Sequence, residues 1–283
     1  MRKQEESYQN KGNINGNISN LIFSEKLFLK TQNRLLLLLG IFILALSLRI
    51  GRAMELERIE KDGTELILIA KNINESGFSG AFAENPRLPP LYILLILCGI
   101  KIGFSPEIVG IFISVVAGSL IIFPVYLIGK RLFSDIFPSL LAALFIAIYP
   151  NLARLSAEVL RDPLYQLLSI SAICMIIEGI SKQKKVFFAL AGFFTAFAVA
   201  TRNEGIEILI IFFIFLLIET LILISDKRNF YSSLARNTWI FAIFAITFIS
   251  FALPFEISLK GTKSSWTIID RRVYNFIMGF FQN

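Results

Sequence analysis

Three short stretches of this 283-residue chain hold the side chains that could do chemistry. The first is Lys61-Asp62-Gly63-Thr64-Glu65, the second Ser156-Ala157-Glu158-Val159-Leu160-Arg161-Asp162-Pro163, and the third Thr201-Arg202-Asn203-Glu204-Gly205. A carboxylate held beside a hydroxyl takes its proton as a general base. An arginine guanidinium forks onto a phosphate through two parallel hydrogen bonds. Asp62, Glu65, Asp162 and Glu158 are therefore the candidate acid–base groups, and Arg202 and Arg161 the candidate phosphate binders. Each stretch also has a purely structural reading. Asp at a helix N-cap with Glu three residues on is a capping box, which would account for Asp62 and Glu65. Asp followed by Pro is a common helix start, which would account for Asp162. A local pair would account for Glu158 and Arg161, and a solvated turn for Arg202 and Glu204.

The chain contains no histidine, so an imidazole base and a His-ligated metal are both excluded. Asp and Glu at these spacings form no recognisable ligand set, and neither a metal nor an organic cofactor is implied. Cys98 and Cys174 lie inside apolar runs and read as buried free thiols.

The elements that must position these residues are membrane spans. Hydrophobic residues make up 55 % of the chain and the mean hydropathy is +0.68. The apolar residues come in nearly charge-free blocks: Leu35–Leu48, Ile108–Ile128, Leu140–Ala153, Leu164–Ile180, Val186–Ala200, Ile206–Ile224 and Trp239–Phe255. Crossing a hydrocarbon core takes roughly 20 helical residues, about 17 at the short end. The blocks do not alternate as barrel strands do. The expected fold is an all-α polytopic membrane protein of about seven transmembrane helices, with a long first outer loop carrying interfacial amphipathic helices.

Basic residues set the orientation. Lys26, Lys30 and Arg34 precede the first block, which reads as a retained signal anchor with a cytoplasmic N-terminus. If the 14-residue run Leu91–Phe104 does not cross, Lys130-Arg131, Lys182-Lys184-Lys185 and Lys227-Arg228-Arg236 all fall in the cytoplasm. The organisation is then a polar cytoplasmic tail (1–34), a transmembrane domain (35–255) with its first outer loop at 54–107, and an outer tail (256–283). Leu66, Ile69, Ala70 and Ile73 share one helical face, predicting an amphipathic helix on the outer leaflet. Tyr92, after Pro89-Pro90, suits the headgroup zone. All three chemical stretches gather on the outer face. The net charge of +7 follows from the flanking basic residues and implies no nucleic acid.

In this order the motifs resemble a family. Asp-Gly-x-Glu in the first outer loop is followed by Ile-Ala-Lys-Asn, Pro-Pro-Leu-Tyr and Tyr-Leu-Ile-Gly-Lys-Arg-Leu-Phe at 126–133. Ser-Ala-Glu-x-Leu-x-Asp-Pro-Leu at 156–164 and Thr-Arg-Asn-Glu-Gly at 201–205 complete the series. The chain is similar over roughly 35–255 to the GT-C glycosyltransferases that use polyprenyl-phosphate sugars, among them the dolichyl-phosphate-mannose-protein mannosyltransferases, the lipid A aminoarabinose transferases and the Rgt-type enzymes. That resemblance implies inverting transfer of a sugar from a polyprenyl-phosphate donor to a lipid, glycan or protein acceptor on the outer face of the cell membrane. It assigns the base to Asp62, with Glu65 second, matches Asp162 and Glu158 to the acids of the second outer connection, and matches Arg202 to a position near the lipid phosphate. Relatives often carry His where this chain has Leu88, and an aromatic residue where it has Leu66. Members of the family usually run longer, so the chain is expected to be a minimal or shortened member. The competing classes are an inactive protein of the same fold and a flippase for lipid-linked intermediates. A flippase predicts broken or charged mid-span positions in repeated halves.

Overall fold

A computed structural model describes residues 33–78, 82, 88–133, 135–222, 227–259 and 267, without the side chains of 227–229. The polar tail before residue 33, the end of the Ile206–Ile224 block, the Lys227-Arg228 side chains and nearly all of the tail after 259 lie outside that description. All regular structure among the described residues is helical. In lipid a backbone must bond within its own segment, which leaves the helix as the form open to charge-free blocks without strand alternation.

The helices are α1 (Asn33–Met54), α2 (Lys61–Ser76), α3 (Leu91–Ile102), α4 (Pro106–Leu120), α5 (Ile122–Leu132), α6 (Phe137–Ile148), α7 (Pro150–Ala157), α8 (Asp162–Lys182), α9 (Lys185–Thr201), α10 (Ile206–Ile222) and α11 (Lys227–Leu259), with a 3-10 turn at Asn203–Gly205 before α10. Among the described residues, five stretches are long and apolar enough to cross a bilayer, α4 and α5 counting as one, and six if the bent pair α6–α7 is a single span. The chain is thus an integral membrane protein. Helix α9 occupies the block Val186–Ala200 but has only 17 residues.

Prolines set the breaks. Pro124 lacks the N–H that would reach Leu120, and the helix is interrupted at Ile121. Pro150 forces Tyr149 into an extended conformation (ψ 116°), so α6 and α7 meet at 52°. Such a break strands the last carbonyls of α6. The buried Arg49 of α1 takes them up, donating from Nη1 to Ala147 O (3.1 Å) and from Nη2 to Ile146 O (3.3 Å). No sequence pattern marked Arg49 for this task.

Helix α9 packs tightly on α8 and α11 because its inner face is small. A Cβ on Gly192 would lie 2.4 Å from the Phe244 carbonyl of α11. Helix α2 buries Leu66, Ile67, Ile69, Ala70 and Ile73, the face expected from the periodicity, against α3 and α4. Tyr92 departs from expectation. It is fully buried rather than at a headgroup surface, its hydroxyl 2.8 Å from both the Gly110 carbonyl and Ser114 Oγ. An exposed apolar flank on α4 would face lipid in its place: Ile108 and Phe112 are both open.

The turn between α7 and α8 is wedged between helices. Val159 is buried between two glycines: a Cβ on Gly63 would lie 2.7 Å from Val159 O, and one on Gly110 2.6 Å from its side chain. Gly63→Ala should therefore lower the melting temperature of the detergent-solubilised protein, the overpacking cost of about 1–3 kcal/mol outweighing the helix-propensity gain of about 1 kcal/mol. Gly40→Ala in α1, which meets nothing within 4 Å, should be neutral or stabilising in the same melt.

Candidate active site

Helices α2 and α8 begin, and α9 ends, around one open cavity of about 380 Å³. Asp62, Glu65, Arg161, Asp162 and Arg202 all line it, with Glu60, Leu66, Leu88, Leu155 and Leu160. Its volume falls within the roughly 300–1,000 Å³ of small-molecule sites. Three stretches separated by up to 140 positions in the chain (62 to 202) thus share one wall. The sixth expected residue, Glu158, lies behind that wall.

Neither acid pair acts as a cap. The residue before α2 is Glu60, which makes no side-chain cap bond, and Asp62 sits exposed in the first turn instead. The capping box expected from Asp62 and Glu65 is not formed, because the helix starts two residues earlier than that motif requires. At α8 the cap position is Arg161, again without a side-chain cap bond. Asp162 is ion-paired with Arg202 Nη1 instead. Arg202 also donates from Nη2 to Glu204 Oε1 at 3.1 Å and lies 5.7 Å from the Tyr165 ring centroid. The Glu204 hydrogen bond first, then Asp162 and Glu204 as charges, hold the Arg202 guanidinium above its ordinary pKa.

The expected Glu158–Arg161 pair is absent. The extended turn carries Glu158 back to Arg154, at 3.3 Å, and Arg154 also lies 3.8 Å from Glu60. Arg161 faces the cavity and makes no ion pair among the described residues. Burial, then the like charge of Arg202, lowers its pKa, while Asp162, Glu204 and Asp62 act in the opposite sense. A half-buried guanidinium with unspent donors seeks an anion.

Hydrogen bonds from α4 hold this turn. Ser114 Oγ donates to the Leu160 carbonyl (2.8 Å) and accepts from the Leu160 N–H (3.4 Å), with the Tyr92 hydroxyl on its other side. The missed residues are Glu60, which stood outside any motif, and the apolar wall of Leu88, Leu155 and Leu160. At Leu88, where relatives often carry His, the wall offers no titratable group. No group of three or more His, Cys, Asp or Glu is placed to hold a metal among the described residues.

Burial, then the neighbouring Glu60, pushes the Glu158 carboxyl above the usual range, with Arg154 opposing. A carboxyl whose pKa is higher folded than unfolded contributes stability at low pH and loses it as pH rises through the folded value. The Glu158 contribution to the melting temperature should therefore fall as pH climbs past the ordinary carboxylate range. Glu158→Gln should flatten that part of the profile, measured by thermal melts across pH.

Comparison with known proteins agrees with this architecture. The dolichyl-phosphate-mannose-protein mannosyltransferase family model matches residues 87–254, a stretch that includes Arg161, Asp162 and Arg202 but not Asp62 or Glu65. Among solved structures, the fold is similar to the Archaeoglobus fulgidus oligosaccharyltransferase in the apo form. The TM-score is 0.58 at 17 % identity, over 88 % of this chain and 37 % of that one. It is also similar to the archaeal oligosaccharyltransferase AglB of the same organism in complex with an inhibitory peptide and a dolichol-phosphate (TM-score 0.55, 17 % identity, the same 88 % and 37 %). The chain thus spans little more than a third of the length of those proteins, and at this identity the likeness is one of fold. No curated protein matches the chain by sequence.

Proposed function

The chain belongs to the dolichyl-phosphate-mannose-protein mannosyltransferase family, and on that footing we propose that it is a membrane glycosyltransferase moving a sugar from a polyprenyl-phosphate donor to an envelope acceptor. The observation that carries this reading is the convergence of two acids from α2 and two arginines, one just before α8 and one in the α9–α10 turn, on one cavity. The chemistry needs both. An acceptor hydroxyl loses its proton to a carboxylate as its oxygen attacks the anomeric carbon. The bond from that carbon to the phosphate oxygen breaks with inversion, and the phosphate leaves with the electron pair.

Asp62 is the proposed base, and Glu65, one turn further along α2, the second candidate. Arg161 is the proposed phosphate ligand, because its guanidinium has no ion pair among the described residues. Arg202 assists it, and Asp162 is a positioning residue that aims Arg202. The N-terminus of α8 at this wall adds a partial positive charge. Glu158 is reassigned from the reaction to the support of the wall through Arg154. On this reading the cavity opens on the outer face, and the acceptor is a lipid, glycan or protein.

The test is transfer of labelled sugar from polyprenyl-phosphate donors in membranes expressing the chain. Asp62→Asn should lower the rate about 10²–10⁴-fold, the usual contribution of general-base catalysis, with insertion unchanged. Arg161→Gln should raise KM for the donor. Equal transfer by the wild type and Asp62→Asn would remove Asp62 as the base. No transfer by any of them would favour an inactive protein of this fold.

A further inference from the structure

The end of the bundle opposite the acidic cavity carries a second, cationic cavity that the transfer reaction does not use. Helix α8 runs 21 residues from Asp162 to Lys182, so at about 1.5 Å per residue its far end lies roughly 30 Å from the first cavity. There Gln183 turns the chain through a left-handed conformation (φ 53°) and α9 starts back. Beside this turn is a cavity of about 340 Å³ lined by Gln183, Lys185, Phe188, Arg236, Trp239 and Ile240.

The charges nearby are not equally available. Lys182 and Arg131 are both committed to the buried Glu178, at 2.6 Å from Lys182 Nζ and 2.8 Å from Arg131 Nη2. Lys185 is exposed and has no ion pair among the described residues. Arg236 donates Nη2 to Glu219 (2.6 Å) and Nε to Asn237 Oδ1 (3.2 Å), leaving Nη1 without a partner among the described residues. Apart from Gln183 the rest of the lining is apolar or aromatic, and Trp239 is 67 % exposed. A free lysine, an arginine with one open nitrogen, an apolar wall and an open indole at the end of apolar spans match the chemistry of the headgroup zone.

We propose that this cavity binds the headgroup of an anionic glycerophospholipid in the leaflet opposite the acidic cavity. The phosphodiester lies between Lys185 Nζ and Arg236 Nη1, and the first acyl carbons lie against Phe188 and Ile240. Basic pockets between transmembrane helices recognise anionic headgroups in this way. Trp239 reports on occupancy, because the chain has two tryptophans and Trp266→Phe leaves it as the single emitter. The Trp266→Phe protein would be reconstituted in phosphatidylcholine vesicles containing a minor fraction of lipid brominated near the headgroup. Brominated phosphatidylglycerol should quench Trp239 several-fold more than the same fraction of brominated phosphatidylcholine. Lys185→Gln, which disturbs no bond, should abolish that excess, and so should high salt. Equal quenching by the two lipids would overturn the proposal, as would an excess that survives Lys185→Gln. Loss of the excess on adding millimolar inorganic phosphate at constant ionic strength would assign the site to a free anion instead and overturn the lipid claim.

Discussion

The architecture depends on how the chain satisfies its backbone where helices break inside an apolar protein. Lipid offers no hydrogen bonds, so each interruption needs a donor or acceptor from elsewhere in the fold. At the α6–α7 bend that donor is Arg49, which reaches from α1 to two carbonyls. Between α7 and α8 it is Ser114, which serves both the N–H and the carbonyl of Leu160 with Tyr92 behind it. Val159, clasped between Gly63 and Gly110, locks the same turn sterically. Because that turn is held from α4 and α2 together, Arg161 and Asp162 are fixed relative to Asp62.

The electrostatics of the cavity follow from this fixed backbone. Asp162 and Glu204 occupy Arg202, so one arginine is oriented by carboxylates while Arg161 keeps its donors unspent. Arg154 is shared between Glu60, which lines the cavity, and Glu158, which does not. A phosphate entering such a site meets a preorganised cation and pays little to reorient it, which is the circumstance in which fixed charge assists a leaving group most. The two ends of the bundle differ in character. One mixes acids with arginines around an open cavity, and the other is rich in lysine beside aromatic side chains, as interfacial anchoring requires.

Much of the fold was legible in the residues. Charge-free blocks long enough to span a bilayer marked most helices, and the spacing of Leu66, Ile69, Ala70 and Ile73 marked the buried face of α2. The three chemical stretches were also legible, since charged residues interrupting apolar sequence are costly and stand out. Their partners were not. Asp62 and Asp162 both read as caps because capping is a local pattern, but α2 already starts at Lys61, and Asp162 pairs with Arg202, distant in the chain. Tyr92 read as interfacial by its type, and only the approach of α4 buried it.

The sequence by itself determined that the chain is a helical membrane protein with acids and arginines clustered between its apolar blocks, because hydropathy and run length act residue by residue. Tertiary structure alone decided that Asp162 turns to Arg202, that Arg154 reaches Glu60 and that Arg161 is left facing the cavity. An ion pair forms with whichever opposite charge the fold brings within reach, and a Coulomb interaction depends on distance in space rather than separation along the chain.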